Sequence, residues 1–496
     1  MPGSTLTAPG APDAGAPVAP HPRRWLVLAV IAISQLMVVL DATIVNIALP
    51  EAQADLGISD ADRQWVVTAY TLTFGGLLLL GGRIADYWGR KRTFLVGMVG
   101  FALASAVGGL ATTGGLLFAA RALQGAFGAL LAPAALALLT VLFTEAKERA
   151  KAFAVYGAIA GGGSAVGLVL GGVLTQYVDW RWCLLVNIPI AAVALFAAIP
   201  LVPESRAHGD TRYDIPGAVV VTAGLVSLVY GFTKAAEDGW DASATIGFIA
   251  AGVALLAAFV VIELRSSHPL LPLRILLDRN RGGAYLASTL IGAGLFGAFL
   301  FLTFYFQQTL GYSPVEAGLA SLPITAGVLL SAGAASQLMP RVGAKPLMVT
   351  GAALAAAAML SLTQIDVDSS FLAHLLPAQV VLGLGLGFTF VPLSSLALVG
   401  VPEHDAGAAS ATLNATQQIG GSLGTALLNT FFTSAVAAYL ATRVPDQATM
   451  AQAAVHGYSV AFAWGAALIL LSGLATVLLI KVRKEDLATS GTVHMG

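Results

Sequence analysis

Fourteen apolar stretches, each of roughly 18 residues or more, follow one another along this chain, and short segments between them hold most of its charge. At about 1.5 Å per residue each can cross a hydrocarbon core of about 30 Å as a helix, the form that bonds its own backbone where water is absent. The spans read at 25–49, 64–82, 93–112, 116–142, 152–174, 183–202, 215–233, 244–264, 282–309, 315–338, 347–364, 373–399, 407–438 and 457–480. Only 10% of the residues are charged and 57% are hydrophobic, against a charged share of about 25% in soluble domains, so an all-α integral membrane fold is expected. A net charge of -1 leaves no basic surface for a nucleic acid. The single cysteine, Cys183, excludes an intrachain disulfide, and no Cys/His cluster has metal-ligand spacing, so neither metal nor cofactor is expected.

Residues 1–24 are rich in Pro, Ala and Gly and read as a disordered tail. The run after Arg23-Arg24 is too long for a signal core and contains Asp41, so it is expected to stay as helix 1. An even helix count puts both termini on one side. Loops on that side carry 20 Lys and Arg, whereas the other side carries Arg63, Arg181, Lys234 and Arg443. That bias places both termini in the cytoplasm of a cell whose inner (plasma) membrane holds the chain.

A weak repeat divides the sequence. Gly82 to Lys91, between helices 2 and 3, has an echo in Ser336 to Lys345, between helices 10 and 11. Gly163-Ser164 and Gly167 in helix 5 are echoed by Gly421-Ser422 and Gly424 in helix 13, and both offsets are near 255 residues. The expected organisation is a six-helix bundle at 25–203, an insertion of helices 7 and 8 with their linkers at 204–281, a second six-helix bundle at 282–481 and a cytoplasmic tail at 482–496. Parallel halves of this kind carry a substrate site at their interface near the membrane midplane.

The loop from Gly82 to Arg92 is the sharpest motif. Its glycines permit a tight turn, Asp86 can accept hydrogen bonds or face a helix N-terminus, and Arg90-Lys91-Arg92 suit an anionic leaflet. The ordered pattern of Gly82, Asp86, Gly89, Arg90 and Lys91 resembles the signature loop of the major facilitator superfamily. Leu40 to Pro50 in helix 1, Trp65 to Leu72 in helix 2, Arg121 to Gly125 in helix 4, and Trp180-Arg181-Trp182 with Asn187 and Pro189 resemble its fourteen-helix drug:proton antiporter branch, of the QacA/EmrB type. The likeness covers nearly the whole chain after residue 24. It implies a monomeric antiporter that exports a small amphipathic drug or antibiotic in exchange for protons by alternating access, driven by the proton gradient and dependent on the lipid bilayer. A lipid or amphiphile exporter or flippase on the same fold is the alternative. No Ser/His, paired-Asp or zinc-binding set points to a membrane-embedded enzyme.

In that branch the helix-5 antiport motif, here Gly163, Gly167, Gly171 and Gly172, usually has a proline after its central glycine, where this chain has Leu168. Ionisable groups inside spans are costly and mark function, and two lie deep: Asp41 and Arg121, about 12 and 8 Å from the outer ends of their helices. They can meet across a cavity, either as a fixed ion pair or as a carboxylate whose proton depends on access and on the arginine; the resemblance assigns them proton coupling. Glu316 reads as half of a capping box with Ser313 rather than as a substrate carboxylate. For the substrate the candidates are Asn46, Tyr70 and Gln124, a helix-9 face of Phe301, Phe304, Tyr305 and Gln308 that can stack an aromatic drug, and the helix-13 polar stripe Asn414, Gln417 and Gln418.

Overall fold

The protein is seen in a computed structural model, which describes residues 22–482 apart from 144, 207–213, 267–268, 270–275, 400, 402–405 and 445. The expected tails at 1–24 and 482–496 therefore lie almost wholly outside the described residues, as does Asp405, the carboxylate next in line for proton coupling should Asp41 not carry it. Among the described residues the regular structure is entirely helical. The long helices are α1 (Arg24–Leu56), α2 (Trp65–Trp88), α3 (Arg90–Gly109), α4 (Gly114–Leu142), α5 (Ala146–Tyr177), α6 (Asn187–Leu201), α7 (Ile215–Asp238) and α8 (Ser243–Arg265). They continue with α9 (Arg279–Phe304), α10 (Pro314–Val342), α11 (Ala344–Leu362), α12 (Leu376–Leu398), α13 (Ala406–Leu440) and α14 (Gln447–Leu479). Thirteen meet the length and hydropathy needed to cross a membrane, and α5, 32 residues long, is the remaining one.

Short polar side chains start several of these helices by accepting orphan backbone N–H groups. Thr113 caps α4, Asp214 caps α7, Asp278 caps α9 and Asp446 caps α14. The Asp446 cap begins α14 ten residues before the apolar run that marks its span, because hydropathy reports the lipid-embedded part and not the capped helix. Ser313 and Glu316 form the complete capping box at the start of α10, so Glu316 is committed to the helix end.

Within the first half α2 and α3 pack on α4, while α1 packs on α5 and α6. Within the last, α9 packs on α13 and α14, and α12 on α10 and α11. Helices α7 and α8 pack on each other, and α7 also leans on α2 and α13. The weak repeat has matching geometry. Gly89 and Gly343 both turn the chain with positive φ, 125° and 86°, between the second and third helices of their halves. Two residues on, Lys91 Nζ donates to Ile199 O at the end of α6, and Lys345 Nζ donates to Val477 O at the end of α14, both 2.7 Å. Each lysine thus satisfies a free carbonyl at the negative end of its half's last helix.

Candidate functional site

Asp41 on α1 and Arg121 on α4 meet directly: Nη1 of the arginine donates to Oδ2 at 2.5 Å, with the side chains 0% and 1% exposed. The carboxylate's other oxygen accepts from Gln124 Nε2 at 2.9 Å and Asn187 Nδ2 at 2.8 Å. The same two amides also reach Ser105 Oγ, at 3.0 and 2.9 Å, and that hydroxyl donates to Leu184 O. Arg121 further donates to Val66 O at 2.9 Å and to Gln124 Oε1 at 2.9 Å, and its guanidinium lies 4.5 Å from the centre of the Tyr70 ring. Five helices or their entry turns are thereby tied to one buried charge pair, the satisfaction a pair out of water requires. Both Asp41 oxygens accept in this arrangement, while Asn187 Oδ1 has no protein partner. A proton on Asp41 would turn one of those acceptors into a donor, so at least one of the present bonds would have to change.

This changes the reading of two substrate candidates. Tyr70, stacked on Phe74 and edge-on to Phe101, and Gln124 belong to this buried cluster and face no open space. Asn187 and Ser105 are network members that composition did not single out, although Asn187 lies in a motif that carries the family likeness.

At the end opposite the chain termini, hereafter the far end, the halves are joined. Gln307 Nε2 donates to Ile47 O, Gln176 Oε1 accepts from Val315 N, and Asn429 Nδ2 donates to Asp60 O and Ala61 O. The helix-5 glycines build this closure. A methyl group on Gly163 would crowd Leu36 and Val39, and on Gly167 or Gly171 it would run into Thr43 or Ile44, so α5 lies directly on α1. A methyl on Gly172 would come within 2.6 Å of Pro314 O, and one on Gly318 would strike Leu168 O, so α5 and α10 touch backbone to backbone. With leucine at 168, α5 runs unbroken through the position where a proline would remove an N–H.

The far end also holds Arg63, placed by charge sorting in an outer loop but only 1% exposed. Its guanidinium carbon sits 4.1 Å from the Phe304 ring centre, 4.6 Å from Phe432 and 6.0 Å from Phe301. Its hydrogen bonds are long, 3.3 Å to Asn429 Oδ1 and 3.4 Å to Asp60 Oδ1, and Nη2 has no protein partner. Burial pushes the guanidinium below its ordinary value, yet an arginine stays charged.

In this arrangement the aromatic face of α9 is covered. Phe301 and Phe304 close around Arg63, and Tyr305 is buried with its hydroxyl donating to Asp366 O at 2.6 Å. The spacing also changes, because Tyr305–Thr309 is a π turn that moves Gln308 off the face. Gln308 is exposed, as is Asn414, whose amide donates to Ser410 O; Asn46 donates to Ala42 O in the same way and is half-buried. Gln417 and Gln418 are also half-buried, the latter pressed against Gly75 where α13 crosses α2.

At the terminal end Asp86 pairs with Arg90 at 2.8 Å within its own loop. The α3 N-terminus is instead met by Glu204, which accepts from Lys91 N at 3.2 Å and lies 3.6 Å from Arg92. Gly82 lies inside α2 with room for a methyl, whereas its neighbour Gly81 is pressed on the Ala129 carbonyl of α4. A helix N-terminus that Asp86 could face lies around Ala406-Gly407 at the start of α13, where the side chains are outside the described residues.

The described residues form a multi-pass helical bundle with a repeated helix-loop-helix geometry and a buried charge pair, the architecture of a membrane transporter. The chain belongs to the Major Facilitator Superfamily, whose family model matches residues 31–425. It is 50% identical to the "Puromycin resistance protein pur8" of Streptomyces alboniger over 479 residues, 96% of this chain and 95% of that one. It is 43% identical to the "Cephamycin export protein CmcT" of Amycolatopsis lactamdurans, covering 79% and 82%. Among solved structures, a bacterial homolog of the human lysosomal transporter Spinster, inward-facing and occupied, superposes with TM-score 0.66 at 14% identity, covering 94% of this chain and 98% of that one.

Proposed function

We propose that the protein is a drug or antibiotic exporter that exchanges its small amphipathic substrate for protons by alternating access. It works as a monomer in the plasma membrane with both termini in the cytoplasm. The observation that carries the proton half of this reading is the Asp41 carboxylate, buried and saturated with donors from Arg121, Gln124 and Asn187. Taking a proton there loosens the ties between α1, α4 and α6, so proton occupancy and helix arrangement are linked. The resistance and export roles printed for the relatives support the substrate class. With the termini inside, the closed far end faces the exterior in this state.

The test has two arms. A host stripped of its own exporters and expressing the chain is challenged with a panel of antibiotics, where resistance to one or more is expected. Purified protein in liposomes is then given an imposed pH gradient, and uptake of the identified drug against its own gradient is followed. Resistance without pH-driven accumulation would leave an exporter but remove the antiport.

A further inference from the structure

The aromatic enclosure around Arg63 has two owners. The cation comes from the short connection between α1 and α2, in the first half of the chain. The rings come from the other half: Phe301 and Phe304 on α9 and Phe432 on α13, with the ring of Tyr458 of α14 tilted 33° to Phe432 at 5.0 Å. Hydrogen bonding to the guanidinium is weak, with two contacts at 3.3 and 3.4 Å and Nη2 without a protein partner. Its one neighbouring carboxylate, Asp60, is 64% exposed and so spends much of its field on water. What holds this buried charge is mostly ring faces, which attract any compact or delocalised cation and are not specific to arginine.

An exporter of the kind proposed above must part its halves at this end. When it does, Arg63 departs with the first half and the rings stay with the second. We infer that the Phe301–Phe304–Phe432 cage is a transient binding site for the cationic group of a lipophilic monocation on its way out, and that Arg63 is its built-in competitor. As the far end closes, the arginine re-enters the cage and displaces the departing cation toward the exterior. The substrate class that uses this site is a tertiary or quaternary ammonium, or another delocalised cation, carried on an apolar body. Neutral drugs gain nothing from it. This inference rests on the alternating-access reading, but binding alone tests it, with no gradient and no turnover.

The experiment measures equilibrium binding of tetraphenylphosphonium and of neutral triphenylphosphine oxide to the purified full-length protein. In Arg63→Gln, the cation is expected to bind tighter by on the order of tenfold, while the neutral probe changes by less than about twofold. Adding Phe304→Ala or Phe432→Ala to that variant removes the gain. Should Arg63→Gln fold poorly, Asn429→Ala, which frees the connection from its anchors at Asp60 and Ala61 but keeps the arginine, is expected to shift the same way by a smaller factor. Equal changes for both probes would reduce Arg63 to a mechanical latch, and unchanged cation binding would dispose of the site. Neither result bears on whether Asp41 couples export to protons, so the two readings fail separately.

Discussion

Arg121 Nη1 and Asp41 Oδ2 lie 2.5 Å apart, on helices whose sequence positions differ by 80, in a place that water does not reach. Either single change strands a buried charge, Arg121 in Asp41→Asn and Asp41 in Arg121→Ala, but the asparagine still offers the guanidinium an oxygen to bond whereas the alanine offers the carboxylate nothing. The first predictions follow from that asymmetry.

Asp41→Asn keeps the shape of the carboxylate without its charge. Transport down a substrate gradient is expected to persist at least in part, while pH-driven accumulation is lost. Proteoliposomes with an imposed pH gradient separate the two modes. A variant that still concentrates drug would move proton coupling elsewhere, with Asp405 the next residue to examine.

Arg121→Ala removes one partner and leaves the other charged and buried, which costs about 3–5 kcal/mol. A lowered thermal midpoint in detergent is expected, larger than for Asp41→Asn, and the pair Asp41→Asn with Arg121→Ala is expected to recover part of it. Arg121→Lys should recover little, because an ammonium cannot span Val66 O, Gln124 and Asp41 in the fork geometry seen here. A double-mutant cycle on thermal stability reads the coupling; additive losses would mean the pair is not a unit.

Two adjacent glycines are expected to differ sharply. Gly81→Ala drives a methyl into the Ala129 carbonyl and should destabilise the α2–α4 contact by about 1–3 kcal/mol. Gly82→Ala, with Pro133 Cβ at an ordinary 3.6 Å, should be neutral or gain about 0.5–1 kcal/mol from helix propensity. Thermal melts of the two single variants check this, and equal losses would contradict the packing described.

At the terminal end, Asp86→Asn is expected to slow turnover while membrane insertion and substrate binding survive. The Asp86–Arg90 pair lies within one loop, and releasing Arg90 alters the charge presented where the halves must approach. Glu204→Gln should weaken the same region more directly, since that carboxylate accepts from the Lys91 N–H in the first turn of α3 and meets the Arg92 side chain. Efflux rates from intact cells, normalised to binding in isolated membranes, provide the comparison; normal rates in both variants would remove the loop from the conformational cycle.

Much of the architecture was legible because hydrocarbon imposes it: apolar runs gave the helices, and the cost of burying charge singled out Asp41 and Arg121 before any coordinates. What escaped was placement. Arg63 sits one residue outside a span and was sorted with loop cations, yet its position against Phe304 and Phe432 is a tertiary fact with no periodicity to announce it. The scarcity of cations at the far end was the available cue, since each of the four there invited a question about its partner. The aromatic stripe on α9 was visible, but helical spacing cannot say whether a face looks into a cavity or into the other half of the chain. Gln124 and Tyr70, named from the sequence as substrate candidates, contact the charge pair.

The contact of α5 with α10, where Gly172 faces Pro314 and Gly318 faces Leu168, is main chain on main chain, with the Gln176 side chain bonded to Val315 N beside it. A joint of this kind behaves like two smooth plates held by a single catch: once the Gln176 bond lets go, the glycine-lined surfaces part or slide with little interlocking. Its opening therefore carries little friction from repacking, and the tempo of the cycle falls to the few groups that must exchange partners or solvent, Arg63 at one end of the molecule and the Asp41 cluster in its middle.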